Sequence, residues 1–485
     1  MENNFKFYNT LTRQIDTVIP RVDGKIGMYT CGPTVYHFAH IGNIRSYIME
    51  DVLEKALRYV GYDVKRVMNI TDVGHLSSDG DTGEDKMLKG AKREHKSVME
   101  VAKEYTDAFF KDFTAVHNRM PDVVEPATNC IPEFIHMVEV LIEKGYAYFA
   151  GGNVYFDTSK LDDYFVFSSA VEKEQLQVGV RDDVEEDVNK KNKNDFVLWF
   201  TQSKFEDQAL KWDSPWGVGY PGWHIECSVM SKKYLADEID IHAGGEDLIF
   251  PHHENEIAQS EAANGVPFAK YWMHNAFLNI DNKKMSKSLG NFFTVRDISK
   301  EYDLQVLRFF MLSAHYRNPI NFSHDLMEAA KNGLDRIITA VTNLTHLEKS
   351  AKDSAMTEDE KKVIDSTKDI YGKFEAAMDD DFNTADAISA VFELVKLANS
   401  NSSEDNTKEY ITALKESIVT LADILGLKVI KEEELLDEDI EALIAERQQA
   451  RKDKNFARAD EIRDELMAKG IILEDTREGV RWKRA

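Results

Sequence analysis

Lys25-Ile-Gly-Met-Tyr-Thr-Cys31 is short, apolar and β-prone, and Gly32-Pro33 stops it, so it reads as a buried strand. A loop bearing His40-Ile41-Gly42-Asn43 follows. From Ile44 the apolar residues Ile44, Ile48, Val52, Leu53, Ala56, Leu57 and Val60 recur at three and four, which predicts a helix ending at Gly61. Asp63 to Thr71 reads as a second strand. Strand, loop, helix and strand within about 45 residues make the βαβ unit of a parallel sheet, whose ligands lie at the strand carboxyl ends. Cys31 and its loop fall there.

Working outward, residues 77–97 are polar and Gly-rich, an exposed loop or short insertion. Phe134, Met137, Val138, Leu141 and Ile142 restore a helical period. Tyr146 to Phe149 and Val154 to Phe156, joined through Gly151-Gly152-Asn153, predict a β-hairpin. The sheet pattern resumes at Ile239-Asp-Ile-His-Ala243, after a Lys/Asn run and Asp195-Phe-Val-Leu-Trp-Phe200. Residues 118–215 therefore read as an insertion between two halves, 1–117 and 216–275, of one α/β parallel-sheet domain. Residues 276–325 lead into helical segments over 326–429, where Leu326, Ala329, Leu334, Ile337, Ile338, Val341 and Leu344 form one stripe. Ser400 to Asn406 reads as a loop within that bundle and Lys428 to Asp439 as a charged linker. In residues 430–485, Arg447 to Leu466 reads as one helix ending at Gly470, ahead of a short strand and Trp482-Lys-Arg484.

With 485 residues the chain exceeds what one core organises, and 43% hydrophobic residues supply several. Its three cysteines, Cys31, Cys130 and Cys227, are too few for a disulfide scaffold and are expected as thiols or metal ligands. A net charge of -26 argues against gripping nucleic acid over the whole surface, but basic residues outnumber acidic ones from Arg447 to Ala485. Neither a signal-like start nor a run of about 18 uncharged apolar residues is seen, so the expectation is a cytoplasmic chain without membrane contact.

Three constellations carry chemistry. His40-Ile41-Gly42-Asn43 leads into a helix, where an anion would meet backbone N–H groups and the positive helix end; alone, it reads instead as a loop His beside a turn Gly. Lys284-Met-Ser-Lys287-Ser288 gathers ammonium groups and hydroxyls suited to polyphosphate, although the lysines alone also fit a solvated basic loop. Cys31, Cys227, His252 and Glu256 are the ligand types of tetrahedral zinc, with His252 and Glu256 four apart and Pro251 suited to the first helical turn. Buried unligated cysteines remain the alternative at this point. A metalloprotease His-Glu-x-x-His is excluded because Ile257 stands at the second His position.

Together these residues resemble cysteinyl-tRNA synthetases, class I aminoacyl-tRNA synthetases, nearly end to end. Tyr29-Thr-Cys-Gly-Pro-Thr-Val-Tyr36 with His40-Ile-Gly-Asn43 resembles the family's HIGH region, with Asn43 in place of the second His. Lys284 to Ser288 is its KMSKS sequence. Gly222-Trp-His-Ile-Glu-Cys227, and the stretch from Ile241 through Gly244-Gly-Glu-Asp247 to Pro251-His-His-Glu-Asn-Glu256, are similar to its zinc and nucleotide segments, and Asn69-Ile-Thr-Asp72 also fits. The polar stretch 77–97 departs from the shorter common form.

The resemblance implies a Rossmann-type catalytic domain split by an insertion, then a helical bundle and a small anticodon-binding domain. It implies activation of cysteine by ATP, with Mg, to cysteinyl-adenylate and transfer to tRNA. His40, Asn43, Lys284 and Lys287 are then the expected catalytic residues, with Gly42, Gly245 and Asp247 completing the ATP site. One zinc per chain on Cys31, Cys227, His252 and Glu256 would select the substrate thiol over a serine hydroxyl. Thr71, Trp223 and His224 are expected to line the cysteine pocket. Arg451, Phe456, Asp460 and Asp475 are expected to read tRNA bases by stacking and edge hydrogen bonds, and a monomer is expected. One rival is a cysteine ligase of mycothiol biosynthesis acting on an amino sugar, which would not need residues 430–485. The other, a non-catalytic RNA-binding paralogue, predicts loss of the lysines or zinc ligands, which are intact.

Overall fold

The computed structural model describes residues 5–73, 87, 91–92, 96–167, 187–202, 210–280, 283–284, 292–430, 437–453, 455–476 and 479–484. Two compact units divide the chain, Met1–Lys428 and Val429–Ala485. An antiparallel pair, β1 (Lys6–Asn9) and β2 (Gln14–Thr17), precedes β3 (Lys25–Thr30). Where β3 ends, Gly32 is required: its N–H donates to Asn69 Oδ1 at 2.7 Å, and a Cβ there would stand 1.6 Å from the Asn69 carbonyl oxygen.

Helix α1 (Ile41–Tyr59) starts three residues before the apolar period, because His40 is its N-cap and Asn43 closes a reciprocal capping box. The expected loop motif is therefore a cap and first helical turn. β4 (Asp63–Ile70) pairs in parallel with β3 from Lys25↔Asp63 to Thr30↔Met68, completing the βαβ unit. Most of the 77–97 segment lies outside the described residues. After α2 (Val98–Ala115), β5 (Val123–Pro126) pairs in parallel with β4. This strand lies inside the stretch expected as the insertion, so the parallel sheet runs past residue 118: four residues too short for a legible alternation form its edge.

Helix α3 (Ile131–Glu143) leads to the predicted hairpin, β6 (Ala147–Ala150) and β7 (Asn153–Phe156), which β8 (Phe196–Phe200) and β9 (Tyr220–Pro221) extend into an antiparallel four-stranded sheet. The chain then returns through α4 (Ile225–Tyr234), β10 (Ile239–Gly245), α5 (Glu254–Asn264) and β11 (Ala269–Asn275). The central sheet is parallel throughout, in the order β11-β10-β3-β4-β5. The chain winds outward in both directions from β3, so the β3/β10 carboxyl ends form the switch-point crevice of this topology.

A small sheet of β12 (Leu278–Ile280), β13 (Lys283–Lys284) and β14 (Ile320–Phe322) follows, with α6 (Val295–Ile298) and α7 (Leu304–Leu312) between its last strands. The bundle is α8 (His324–Ser350), α9 (Glu358–Asp379), α10 (Thr384–Asn401) and α11 (Lys408–Ile424), with α8 packed on α11 and α9 on α10. In α8 the buried stripe is Met327, Ala330, Leu334, Ile337, Val341 and Leu344; Leu326 and Ala329 face solvent, because the three-four step back from Leu334 lands on Ala330 and Met327.

The second unit contains α12 (Asp437–Lys452), α13 (Phe456–Ala468) and the hairpin β15 (Ile471–Thr476) with β16 (Gly479–Arg484), around Ile440, Ile444, Ile462, Leu466 and Ile471. The single helix expected from Arg447 to Leu466 is two helices. Asn455 divides them, its side chain accepting from Arg458 N as the N-cap of α13.

Candidate active site and metal centre

Cys31 leaves the end of β3, Cys227 stands in the first turn of α4, and His252 precedes α5, which carries Glu256. The parallel sheet brings them together: one ligand atom from each lies within 4.8 Å of all the others, and all four residues are buried. Cys31 Sγ is 3.8 Å from Cys227 Sγ, which is 3.5 Å from His252 Nε2. Cys31 Sγ is 3.9 Å from Glu256 Oε1, and His252 Nε2 is 2.7 Å from the same oxygen. A tetrahedral ion with bonds of about 2.3 Å to sulfur sets sulfurs about 3.8 Å apart, so the donor set fits zinc. Pro251 is not in a regular first turn: Phe250 before it is extended at φ -128°, ψ 128°, as a residue preceding proline is forced to be, and α5 starts only at Glu254.

Burial and mutual contact shift the four groups in opposite directions. Burial opposes ionisation of Glu256, but His242 and His252 pull its carboxyl down to about 2. Burial likewise disfavours protonated His252, yet Glu256 and Cys227 push it up to about 10. Of the two thiols, Cys31 is driven up by burial and by Cys227; Cys227 is lowered despite burial, through the Cys31 hydrogen bond and His252. The thiol beside His252 is thus the more readily ionised of the two.

A further ring of histidines orients these ligands, and sequence reasoning missed it. His242 Nε2 holds the other oxygen of Glu256 at 2.7 Å and stacks on Trp272, centroids 4.4 Å apart. His253 Nε2 lies 3.5 Å from Cys31 Sγ, and its Nδ1 is 2.7 Å from His274 Nε2, whose Nδ1 reaches Thr10 Oγ1 at 2.8 Å. Two signals were present: a single His inside each apolar strand, Ile239–Gly245 and Ala269–Asn275, and the doublet His252-His253. Such outer partners fix ligand orientation in metal sites.

Of the expected pocket residues, His224 is 2.9 Å, Nδ1 to Nδ1, from His252, so it orients the His252 ring. Trp223 lies over the His252 ring at 4.3 Å. Thr71 donates to Glu226 Oε2 at 2.6 Å and accepts from Asn69 Nδ2 at 3.1 Å; Asn69 and Glu226 are both buried. All three lie beside the Cys31–Cys227–His252–Glu256 cluster, Thr71 through Asn69, whose Oδ1 is 3.8 Å from Cys227 Sγ.

At the start of α1, Asn43 N donates to His40 Nδ1 at 3.2 Å and His40 N to Asn43 Oδ1 at 3.4 Å, so each fixes the other across Gly42. Both line a cavity of about 250 Å³ with residues 33–39, Tyr105, Phe109 and Phe292. His37, also missed, lies parallel to Tyr105 at 6.4 Å and edge-on to Phe292. Gly245 closes β10 beside α1: a Cβ there would meet Asp247 Oδ1 at 2.4 Å and Ser46 Oγ at 3.5 Å. Lys284 contributes its backbone to β13, paired with Asn279, while Lys287 lies outside the described residues.

In the second unit Arg451 ends α12 and Phe456 opens α13, 60% exposed, one turn before exposed Asp460 on the same face. Asp475 is in β15, its backbone paired with Val480. No helix among the described residues is long and apolar enough to cross a membrane.

Comparison with known proteins follows the same division. Residues 17–332 match the family described as tRNA synthetases class I (C) catalytic domain, residues 373–429 the DALR domain, and residues 433–482 the cysteinyl-tRNA ligase anticodon binding domain. A cysteine–tRNA ligase of Lachnospira eligens is 64% identical over 486 residues, covering 99% of this chain and 100% of the relative; that of Lachnoclostridium phytofermentans is 52% identical over the same shares. Mycobacterium tuberculosis methionyl-tRNA synthetase bound by methionyl-adenylate superposes with a TM-score of 0.59 over 83% of this chain and 92% of that one; at 13% identity this shows a shared fold.

Proposed function

The chain belongs to the cysteinyl-tRNA synthetase family, and from that premise we propose that it charges tRNA with cysteine through a cysteinyl-adenylate, selecting the substrate by its thiol. The observation that carries the finer reading is the meeting of Cys31, Cys227, His252 and Glu256 within 4.8 Å at the carboxyl end of β3. These four would hold zinc, which supplies a soft Lewis-acid position where a thiolate binds better than a hydroxyl of similar shape. His242 and His224 keep Glu256 and His252 turned inward, and Trp223 closes one side of the His252 ring.

In this reading the cysteine carboxylate attacks the α-phosphorus of ATP, bound with Mg, and pyrophosphate leaves. The first turn of α1, fixed by His40 and Asn43 with Gly42 permitting close approach, receives phosphate oxygens. Gly245 and Asp247 take the nucleoside, Gly by close approach and Asp by accepting from hydroxyls. Lys284 and Lys287 balance the charge that grows on the departing pyrophosphate. The cysteinyl group then passes to the terminal adenosine of tRNA, while Arg451, Phe456, Asp460 and Asp475 read the anticodon. The match of residues 433–482 to an anticodon-binding domain supports tRNA, and the amino-sugar alternative finds no support.

The test is elemental analysis beside cysteine-dependent ATP–pyrophosphate exchange. One zinc per chain is expected, with Cys227→Ala and His252→Ala lowering metal content and exchange together. Fully active enzyme without zinc would overturn the assignment.

A further inference from the structure

Arg45 is fully buried on α1, one turn after the His40–Asn43 cap, and among the described residues no carboxylate makes a direct ion pair with it, Glu246 acting on it only from a distance. Its guanidinium donates to four backbone carbonyls instead. Nη1 reaches Ala276 O at 2.6 Å and Phe277 O at 2.5 Å; Nη2 reaches Tyr316 O at 3.2 Å and Asn318 O at 2.6 Å. Ala276 and Phe277 immediately precede β12, which pairs with β13 and Lys284. Tyr316 and Asn318 precede β14, the other neighbour of β12.

Two further contacts complete the attachment. Phe277 N–H donates to Glu246 Oε1 at 2.9 Å, so the residue after Gly245 holds Phe277 from the nucleotide side. Beyond the lysine loop, Ile41 N–H donates to Phe293 O and Val295 N–H to Ala39 O, each at 3.1 Å. Both the entry to and the exit from the segment bearing Lys284 and Lys287 are thus bonded to residues 39–45.

We propose that Arg45 is a positioning residue for cysteine activation, which holds β12 and β14, and through them the Lys284 backbone in β13, in place relative to His40 and Asn43. The proposal rests on the phosphate role given above to Lys287. A single planar fork here ties together two loops that sequence separates by some forty residues, and both lead into the same small sheet. Lysine, a point charge with three donors on one atom, cannot span the four carbonyls.

The experiment compares Arg45→Met, Arg45→Lys and Glu246→Ala, each alone and combined with Lys287→Ala, in full-length zinc-loaded enzyme, reading single-turnover adenylate formation. Arg45→Met is expected to slow this step at least about tenfold with the cysteine KM unchanged, and Arg45→Lys to recover little of the loss. Glu246→Ala, which leaves Arg45 in place and keeps the test open if Arg45→Met does not fold, is expected to slow it about threefold. In the Lys287→Ala background each should cost less than about twofold, because the group being positioned is gone. If the Arg45 and Lys287 effects multiply, or if cysteine KM takes the whole loss, Arg45 is structural and the proposal is overturned while the role of Lys287 stands. If Lys287→Ala is as fast as the unchanged enzyme, that role fails and the positioning proposal falls with it.

Discussion

Arg308→Met should unfasten the end of the bundle from the catalytic domain. Arg308 lies buried on α7, donating to Asp51 Oδ2 at 2.5 Å, Leu425 O at 2.7 Å, Asn118 Oδ1 at 2.8 Å and Val116 O at 3.0 Å. Methionine preserves most of the apolar stem but leaves three of those acceptors unsatisfied, at about 1–3 kcal/mol each if fully separable. Asp51 keeps Lys55 Nζ and Arg119 N, both at 2.6 Å, and so stays ionised. Since the acceptors share one donor and relax together, the range for breaking a buried pair, about 3–5 kcal/mol, is the expected loss. In urea the first unfolding transition, followed by tryptophan fluorescence, should move down by about 1 M or more. Gly426 gives an independent arm: its φ is +69°, and a Cβ there would stand 2.2 Å from Arg308 Nη2. Gly426→Ala should destabilise the normal protein but cost less beside Arg308→Met, where the obstruction is smaller. A shift below about 0.3 M for Arg308→Met, or strict additivity of the pair, would refute the clamp.

Glu360, held by Thr357 N, Asn406 Nδ2 and Thr407 N and Oγ1, has its carboxyl drawn down to about 2 by these donors against the effect of burial. A depressed carboxyl stabilises the fold above its unfolded pKa near 4.5 and ceases to do so as pH falls through about 2, so Glu360→Gln should cost about 2 kcal/mol at pH 7 and almost nothing near pH 2, measured by urea titration at each pH. Lys287→Ala should lower the rate of pyrophosphate exchange about a hundredfold with cysteine KM unchanged, as expected of a transition-state charge contact; a defect confined to KM would give this lysine another role. A chain ending at Lys428 retains every residue assigned to ATP, cysteine and zinc, so exchange should persist while tRNA charging falls at least about a hundredfold, the energy of two stacked bases; equal charging by the folded truncation would remove anticodon reading from Val429–Ala485.

Local sequence was most informative where a short segment satisfies its own backbone and shows one face. The β3-α1-β4 unit, the β6–β7 hairpin and the apolar faces of the bundle were legible because period two and period 3.6 are written directly in side-chain order. Boundaries were less so. The start of α1 at Ile41 depends on a side-chain cap, the break before α13 on Asn455, and β5 on four residues that become a strand by pairing with the free edge of β4. Pairing energy comes from the partner strand, which local periodicity does not contain.

By itself, the sequence determined the kinds of groups available and their local spacing: two thiols, a His and Glu one helical turn apart, a Gly-bearing cap, and lysines gathered in one motif. Only the tertiary structure decided that Cys31 meets Cys227, 196 positions away, and that His242, His253 and His274 surround the ligands. It also decided that four carbonyls from two separate loops converge on Arg45. Contacts at such separations follow from the strand order β11-β10-β3-β4, which brings the carboxyl ends of β3 and β10 together. That order is set by burying both faces of a parallel sheet at once, a property of the whole chain that no window of residues displays.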